Sequence, residues 1–221
     1  MGQKLEFKRP DGKMTPGYLA EPASSAKGGI IVLQEWWGLN DQIMKITDRL
    51  ADEGFRALAI DLFRGRAAAN ADEARHLMAG LDWGDAVSND LRGAAQYLKP
   101  KGKVAALGFC MGGALTLLGV GKVPEVDLGV CFYGIPPAQA LDPATIRKPL
   151  MAHFATMDDW CTPAMVDSLE SKLKSAGTPF ELHRYEAQHA FMNEKRPEVY
   201  EPAAAKLAWE RSIQFLNQQM A

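Results

Sequence analysis

The chain reads as a single α/β domain, a mostly parallel central sheet with helices on both faces. Three observations point there. From residue 30 onward, short apolar runs of strand length alternate with amphipathic helical stretches. The runs are apolar throughout rather than every second residue, as strands covered on both faces are. No internal repeat or low-complexity linker divides the 221 residues, so one domain, 1–221, is expected. A chain of this length buries about 70% of its unfolded surface and needs no disulfide or metal to fold.

The elements follow in order. Residues 1–20 read as a β-hairpin that joins the sheet: Lys4 to Phe7 alternates, Asp11-Gly12 turns, and Met14 to Leu19 returns. Ile30-Ile31-Val32-Leu33 is a buried strand. Asp41 is placed to cap a helix that carries Ile43, Ile46 and Leu50 on one face and stops at Gly54. Ala57 to Leu62 is a strand; Ala71 to Leu81 and Trp83 to Leu98 are helical. Val104 to Phe109 is a strand and Met111 to Val120 a helix, followed by strands at Leu128 to Tyr133 and Leu150 to Ala155. Pro163 opens a helix to Ala176 at a position that tolerates proline. Phe180 to Tyr185 is the last strand and Pro202 to Gln219 the last helix.

Composition excludes several classes. The net charge is −2 and the basic residues are scattered, so no field exists for nucleic acid or an anionic membrane. No window approaches the roughly 20 apolar residues of a membrane span, and residues 1–10 lack a signal-peptide core. Three cysteines, Cys110, Cys131 and Cys161, are too few and too far apart for a disulfide framework or a zinc site. A reduced cytoplasm is the expected compartment.

The chemistry concentrates where strands end, because ligands of such sheets sit beyond the carboxyl edge. Val104–Leu107 runs into Gly108-Phe109-Cys110-Met111-Gly112-Gly113 and then a helix. This is a G-x-nucleophile-x-G elbow in its required strand–turn–helix context. Small residues let strand and helix pass closely, and the helix N-terminus offers its dipole and free N–H groups to an anion. A lone cysteine is more often packing than chemistry. Partners decide the matter, and they follow in the order nucleophile, acid, histidine. Asp158 and Asp159 lie after the strand ending at Ala155, and His189 follows the strand ending at Tyr185. Of the other histidines, His153 and His183 lie within strands and His76 on a helix. Glu35, after the first long strand and beside Trp36 and Trp37, points toward the same crevice. A carboxylate buried there needs a partner, and Cys110 and His189 are the available ones.

Together these segments resemble the dienelactone hydrolase family of the α/β-hydrolase fold, over nearly the whole chain. The resemblance rests on Gln34-Glu35 with Gly38, Asp61-Leu62-Phe63, the Cys110 elbow, Tyr133-Gly134, Asp159 four residues before Pro163, and Tyr185 with His189 and Phe191. It implies a Cys110–Asp159–His189 triad, choosing Asp159 over Asp158 by its spacing to Pro163. It also implies oxyanion donors at the Met111 and Trp36 N–H groups, and a Glu35 that contacts and helps to activate the resting thiol. The family's named activity is carboxymethylenebutenolidase, the opening of an enol-lactone. Dienelactone-specific members place an arginine four residues after the histidine; here that position is Asn193. A neutral amide does not replace a bidentate guanidinium at a carboxylate. Arg64, Arg66 and Arg75 are candidates for a second substrate arginine. Trp37, Tyr133 and Asn193 are the candidate substrate contacts, and the tryptophan pair suggests a flat, apolar mouth. The expectation is a cysteine-dependent ester or lactone hydrolase that uses no cofactor or metal, meets no nucleic acid or membrane, and acts on a small-molecule substrate as a monomer or weak homo-oligomer. A broad carboxylesterase or thioesterase, a thiol redox protein and a non-catalytic binding module are the competing readings.

Overall fold

A computed structural model describes residues 1–221. Eight strands form one sheet in the order β1-β2-β4-β3-β5-β6-β7-β8. The strands are β1 (Gln3–Lys8), β2 (Met14–Ala20), β3 (Gly29–Leu33), β4 (Arg56–Ile60), β5 (Val104–Phe109), β6 (Leu128–Phe132), β7 (Leu150–Met157) and β8 (Phe180–Gln188). The β1–β2 hairpin turns where expected, and β2 alone runs against its neighbours β1 and β4; every pairing from β4 to β8 is parallel. The apolar runs of β3, β5 and β6 are buried end to end. Two cores of similar size, 33 and 30 buried residues, lie on the two faces, which explains why these strands do not alternate.

The helices are α1 (Asp41–Asp52), α2 (Ala71–Ala79), α3 (Trp83–Asp85), α4 (Arg92–Leu98), α5 (Met111–Lys122), α6 (Pro163–Ser175) and α7 (Pro202–Met220). The α1 cap differs from expectation. Asn40, not Asp41, accepts from the N–H groups of Gln42 and Ile43 at 3.1 and 3.2 Å, and Asp41 sits in the first turn, where the helix dipole favours it. Between α3 and α4 a π-helical segment, Ala86–Leu91, interrupts the single helix expected over 83–98. The buried Asp90 of this segment accepts from Arg9 at 3.2 Å, Arg64 at 2.8 Å and Thr15 at 2.5 Å, tying the first hairpin to the loop after β4. Such a segment shifts side chains around the helix by the extra residue it inserts.

Both strands that carry the expected acid and histidine run longer than the sequence suggests. β7 continues to Met157 through an irregular register between Ala155 and Met157, and β8 continues to Gln188. Asp158 and His189 are therefore each the first residue beyond a strand, side by side at the carboxyl edge.

Candidate active site

β5 hands the chain to α5 through Cys110, whose φ of 54° and ψ of −115° are strained for a side-chain-bearing residue. The close passage of strand and helix is what demands glycine on either side. A Cβ on Gly108 would stand 2.1 Å from the Gly112 carbonyl oxygen, and one on Gly112 would stand 2.2 Å from that of Leu33. Cys110 N–H donates to Phe132 O at 3.0 Å, and Ala114 N–H donates to Cys110 O at 3.1 Å, which pins the turn. The thiol is half-buried at the base of a cavity.

The acid beside His189 is Asp158, which corrects the expected Asp159. Asp158 Oδ2 lies 2.8 Å from His189 Nδ1, and its side chain is fully enclosed, whereas Asp159 is exposed. The reason is the length of β7. Because the strand runs on to Met157, the next residue turns inward, and Asp158 Oδ1 accepts the N–H groups of Trp160 at 2.7 Å and Cys161 at 2.9 Å. This is the local turn that Asp forms with its own downstream backbone. Burial pushes the Asp158 carboxyl up, but His189 and the two N–H groups outweigh it and hold its pKa below the usual range.

His189 is 16% exposed through its side chain. Burial opposes its protonation, yet the hydrogen bond to Asp158 and the neighbouring Cys110 sulfur raise its pKa from 6.5 to about 10. Nδ1 is taken by Asp158; Nε2 is enclosed without an aligned hydrogen-bond partner, on the side the sulfur acts from. The structure thus brings together Cys110, His189 and an acid, as the chain order suggested, with Asp158 in the third place.

Glu35 is 4% exposed and does not bond the thiol as expected. Its Oε1 accepts from Tyr133 Oη at 3.1 Å and its Oε2 from Asn193 Nδ2 at 2.6 Å. Burial raises its pKa, and these two donors work against the rise. Asn193, expected at the substrate, is 2% exposed and outside the cavity wall; it holds Glu35 and accepts the Lys195 N–H. Tyr133 is fully buried, lines the cavity, and keeps a left-handed φ of 39°. Its phenol pKa is raised well above 10 by burial and by Glu35.

The cavity holds about 300 Å³ and is walled mainly by Trp36, Trp37, Met78, Trp83, Ile135 and Trp160. Trp36 meets Trp37 and Trp160 edge to face, with ring centres 5.5 and 5.7 Å apart. Trp37, offered as a substrate contact, lines this wall, while Met78, Trp83 and Trp160 come from segments that carried no local signal. None of the three arginines offered earlier reaches this wall. Arg64 bonds Asp90, Arg75 pairs with Asp72, and Arg66 bonds the Phe63 carbonyl. The one guanidinium on the wall is Arg196, 5.8 Å from the centre of the Trp37 ring and paired with Glu198 at 2.8 Å. Cys131 and Cys161 are buried and donate to the carbonyls of Gly134 and Tyr133; burial pushes the Cys131 thiol up to about 12 and Cys161 higher still.

Known proteins agree with this architecture. The sequence profile described as the dienelactone hydrolase family matches residues 15–220. A protein of Aquifex aeolicus named as a candidate carboxymethylenebutenolidase is 35% identical over 230 residues, covering 98% of both chains. Protein usf of Aquifex pyrophilus is 36% identical over 231 residues, covering 99% of both. Among solved structures, a candidate dienelactone hydrolase from Klebsiella pneumoniae superposes with a TM-score of 0.86 at 23% identity, covering 99% of each chain, and shares the fold. No helix is long and apolar enough to cross a membrane. The chain is an α/β hydrolase belonging to the dienelactone hydrolase family, and so to the hydrolases of carboxylic esters.

Proposed function

We propose that the protein cleaves an ester or lactone through a covalent cysteine intermediate, with Cys110 as nucleophile, His189 as proton carrier and Asp158 as the acid that orients it. The observation that carries this reading is the enclosed Asp158–His189 pair turned toward Cys110 at the base of an aromatic cavity. A His189 pKa raised to about 10 favours an imidazolium beside the sulfur at neutral pH, the charge state that leaves a thiolate for attack. The sulfur adds to the carbonyl carbon. The Met111 N–H, first in α5 and without a partner inside the helix, and the Trp36 N–H, which donates to no protein group, both lie at the cavity wall for the oxyanion. Collapse expels the alcohol or enol oxygen, which takes the proton from His189 and leaves a thioester. Neutral His189 then takes a proton from water, whose oxygen attacks the thioester and releases the acid and the Cys110 thiolate. No cofactor enters these steps.

The wall favours an aryl or other bulky apolar group on the ester. Its single guanidinium is already paired with Glu198, and the position where dienelactone-specific members carry arginine is occupied by Asn193, turned away toward Glu35. An apolar aryl ester therefore suits the site better than a carboxylated lactone. Three free thiols, two of them deep in the core, suit a reducing compartment such as the cytoplasm. The test is a panel of aryl esters and lactones, with and without a carboxylate, on the native chain and on Cys110→Ala. Turnover of uncharged aryl esters that vanishes in the variant is expected; undiminished turnover without the thiol would reject the nucleophile.

A further inference from the structure

Arg9, Asp85 and Asp90, and the π-helical segment Ala86–Leu91 between the two aspartates, take no part in the proposed chemistry, yet they adjoin it. Trp83, two residues before Asp85, lines the aromatic cavity. We propose that Arg9 is a positioning residue which, by holding the π turn, sets Trp83 on the cavity wall, and that Trp83 there selects esters carrying an aromatic ring. The inference rests on that cavity being the ester site. Arg9, the first residue after β1, is 5% exposed. Its Nη1 donates to Asp85 Oδ2 at 2.8 Å and to Asp90 Oδ1 at 3.2 Å, and its Nη2 to Asp85 Oδ1 at 3.2 Å. One guanidinium thus bridges two carboxylates five residues apart in sequence. In a continuous α-helix, at about 100° per residue, those side chains would point roughly 140° apart. A turn closed by i→i+5 hydrogen bonds brings them onto one face instead. The bridge and the π turn therefore imply each other.

Arg9 is not free to follow a change of register. Its Nε and Nη2 also donate to Asp11, and α4 packs against its backbone, where a Cβ on Gly93 would stand 3.0 Å from Arg9 Cα. The buried Ala94, Ala95 and Leu98 anchor α4 in the core on one side of the π turn, and Trp83 lies on the other. The extra residue of the turn consequently rotates α3 by about 100° relative to α4. Closing the turn as regular α-helix would swing the Trp83 ring by that angle, away from the wall it now shares with Trp36, Trp37 and Trp160. A flat substrate group among these four rings meets both faces and edges, the arrangements that aromatic pairs prefer.

Three esters test this on the full chain: phenyl acetate, with a ring on the alcohol, vinyl benzoate, with a ring on the acid, and vinyl acetate, with neither. The readout is kcat/KM for the ring-bearing ester that the native chain turns over faster, divided by that for vinyl acetate. Intrinsic reactivity cancels when a variant's ratio is compared with the native one, and so does any loss of folded protein. Trp83→Ala should lower the ratio about tenfold, through KM rather than kcat, and Trp83→Phe should keep most of it. Arg9→Lys puts a point charge where a fork bridged two carboxylates, and should bring the ratio toward that of Trp83→Ala. Combined with Trp83→Ala it should lower the ratio no further, since both act through one ring. Asp85→Ala should act as Arg9→Lys does; the Asp85 side chain is half-exposed, so this variant folds even if the Arg9 variant does not. A native ratio in Trp83→Ala, Arg9→Lys or Asp85→Ala overturns the proposal, as does a double variant that loses the product of the two single effects. Cys110→Ala separates this failure from that of the cysteine mechanism. An active Cys110→Ala sinks the nucleophile while the ratios still decide the role of Trp83; an inactive one beside a native ratio in Arg9→Lys sinks the role of Arg9 alone.

Discussion

Replacing Asp158 by Asn isolates the acid from the turn it builds. The amide oxygen still accepts the Trp160 and Cys161 N–H groups, so the loop keeps its shape, while the charge facing His189 Nδ1 is gone. His189 is raised from 6.5 to about 10, roughly 5 kcal/mol in favour of its protonated form, and Asp158 and Cys110 share that effect. A charge-assisted hydrogen bond of this kind contributes about 3 kcal/mol at most, which converts to a fall of about 10²-fold in kcat/KM. The pH profile should move too. In the native protein the alkaline limb, where the imidazolium is lost, belongs near pH 10; in Asp158→Asn it should lie about 1–2 units lower. The assay is release of 4-nitrophenol from its acetate, beside a thermal melt to establish folding. Asp159→Asn is the control and should stay within about twofold, since an exposed carboxylate makes little contribution. If Asp159→Asn lost more activity than Asp158→Asn, the placement of the acid would be refuted.

Other outcomes follow from the same geometry. Asn193→Ala removes a donor from the buried Glu35 carboxylate, a cost of about 2–3 kcal/mol, and should lower the melting temperature by about 5–10 °C in a domain of this size; an unchanged melt would show that Glu35 does not depend on it. Gly112→Ala drives a Cβ into the Leu33 carbonyl and should cost more than about 3 kcal/mol, read as loss of soluble, folded protein. Trp160→Ala, at a ring 57% exposed on the cavity wall, should raise KM for aryl esters up to about tenfold with little change in the melt. Stability should also fall in alkali. Because the His189 pKa is raised on folding, its contribution is fully present below about pH 6.5 and is lost as pH rises through about 10, a decline that Asp158→Asn should flatten.

Strand–helix alternation and the elbow at Cys110 were legible because each is local: a run of apolar residues, a pair of glycines, a helix that follows at once. The choice between two adjacent aspartates was not local. It turned on two further residues of β7 and an irregular register at Ala155, set by pairing with β8. One signal did favour Asp158, its position two and three residues before N–H groups that an Asp turn can serve. Glu35 was rightly read as a buried carboxylate in need of partners, but its partners are Tyr133 and Asn193, the second 158 residues away along the chain. Asn193 had a claim on that role as soon as arginine was missing from its position, since a buried carboxylate accepts from an amide as readily as a substrate does. The π-helical segment over Ala86–Leu91 leaves no periodic trace, for it is held by what Asp90 binds on β2 and on the loop after β4.

Four residues other than glycine adopt a left-handed φ, and three of them, Cys110, Tyr133 and Ala190, line the aromatic cavity. Each such conformation costs about 1–3 kcal/mol, so backbone strain collects around the proposed site. Heat-selected variants would find relief at these positions first, Ala190→Gly being the simplest, and would gain robustness by loosening the backbone that holds the proposed nucleophile and its histidine. Durability and reactivity are thus set against each other at three named peptide units, while the sheet interior, already free of such tension, has little to offer either.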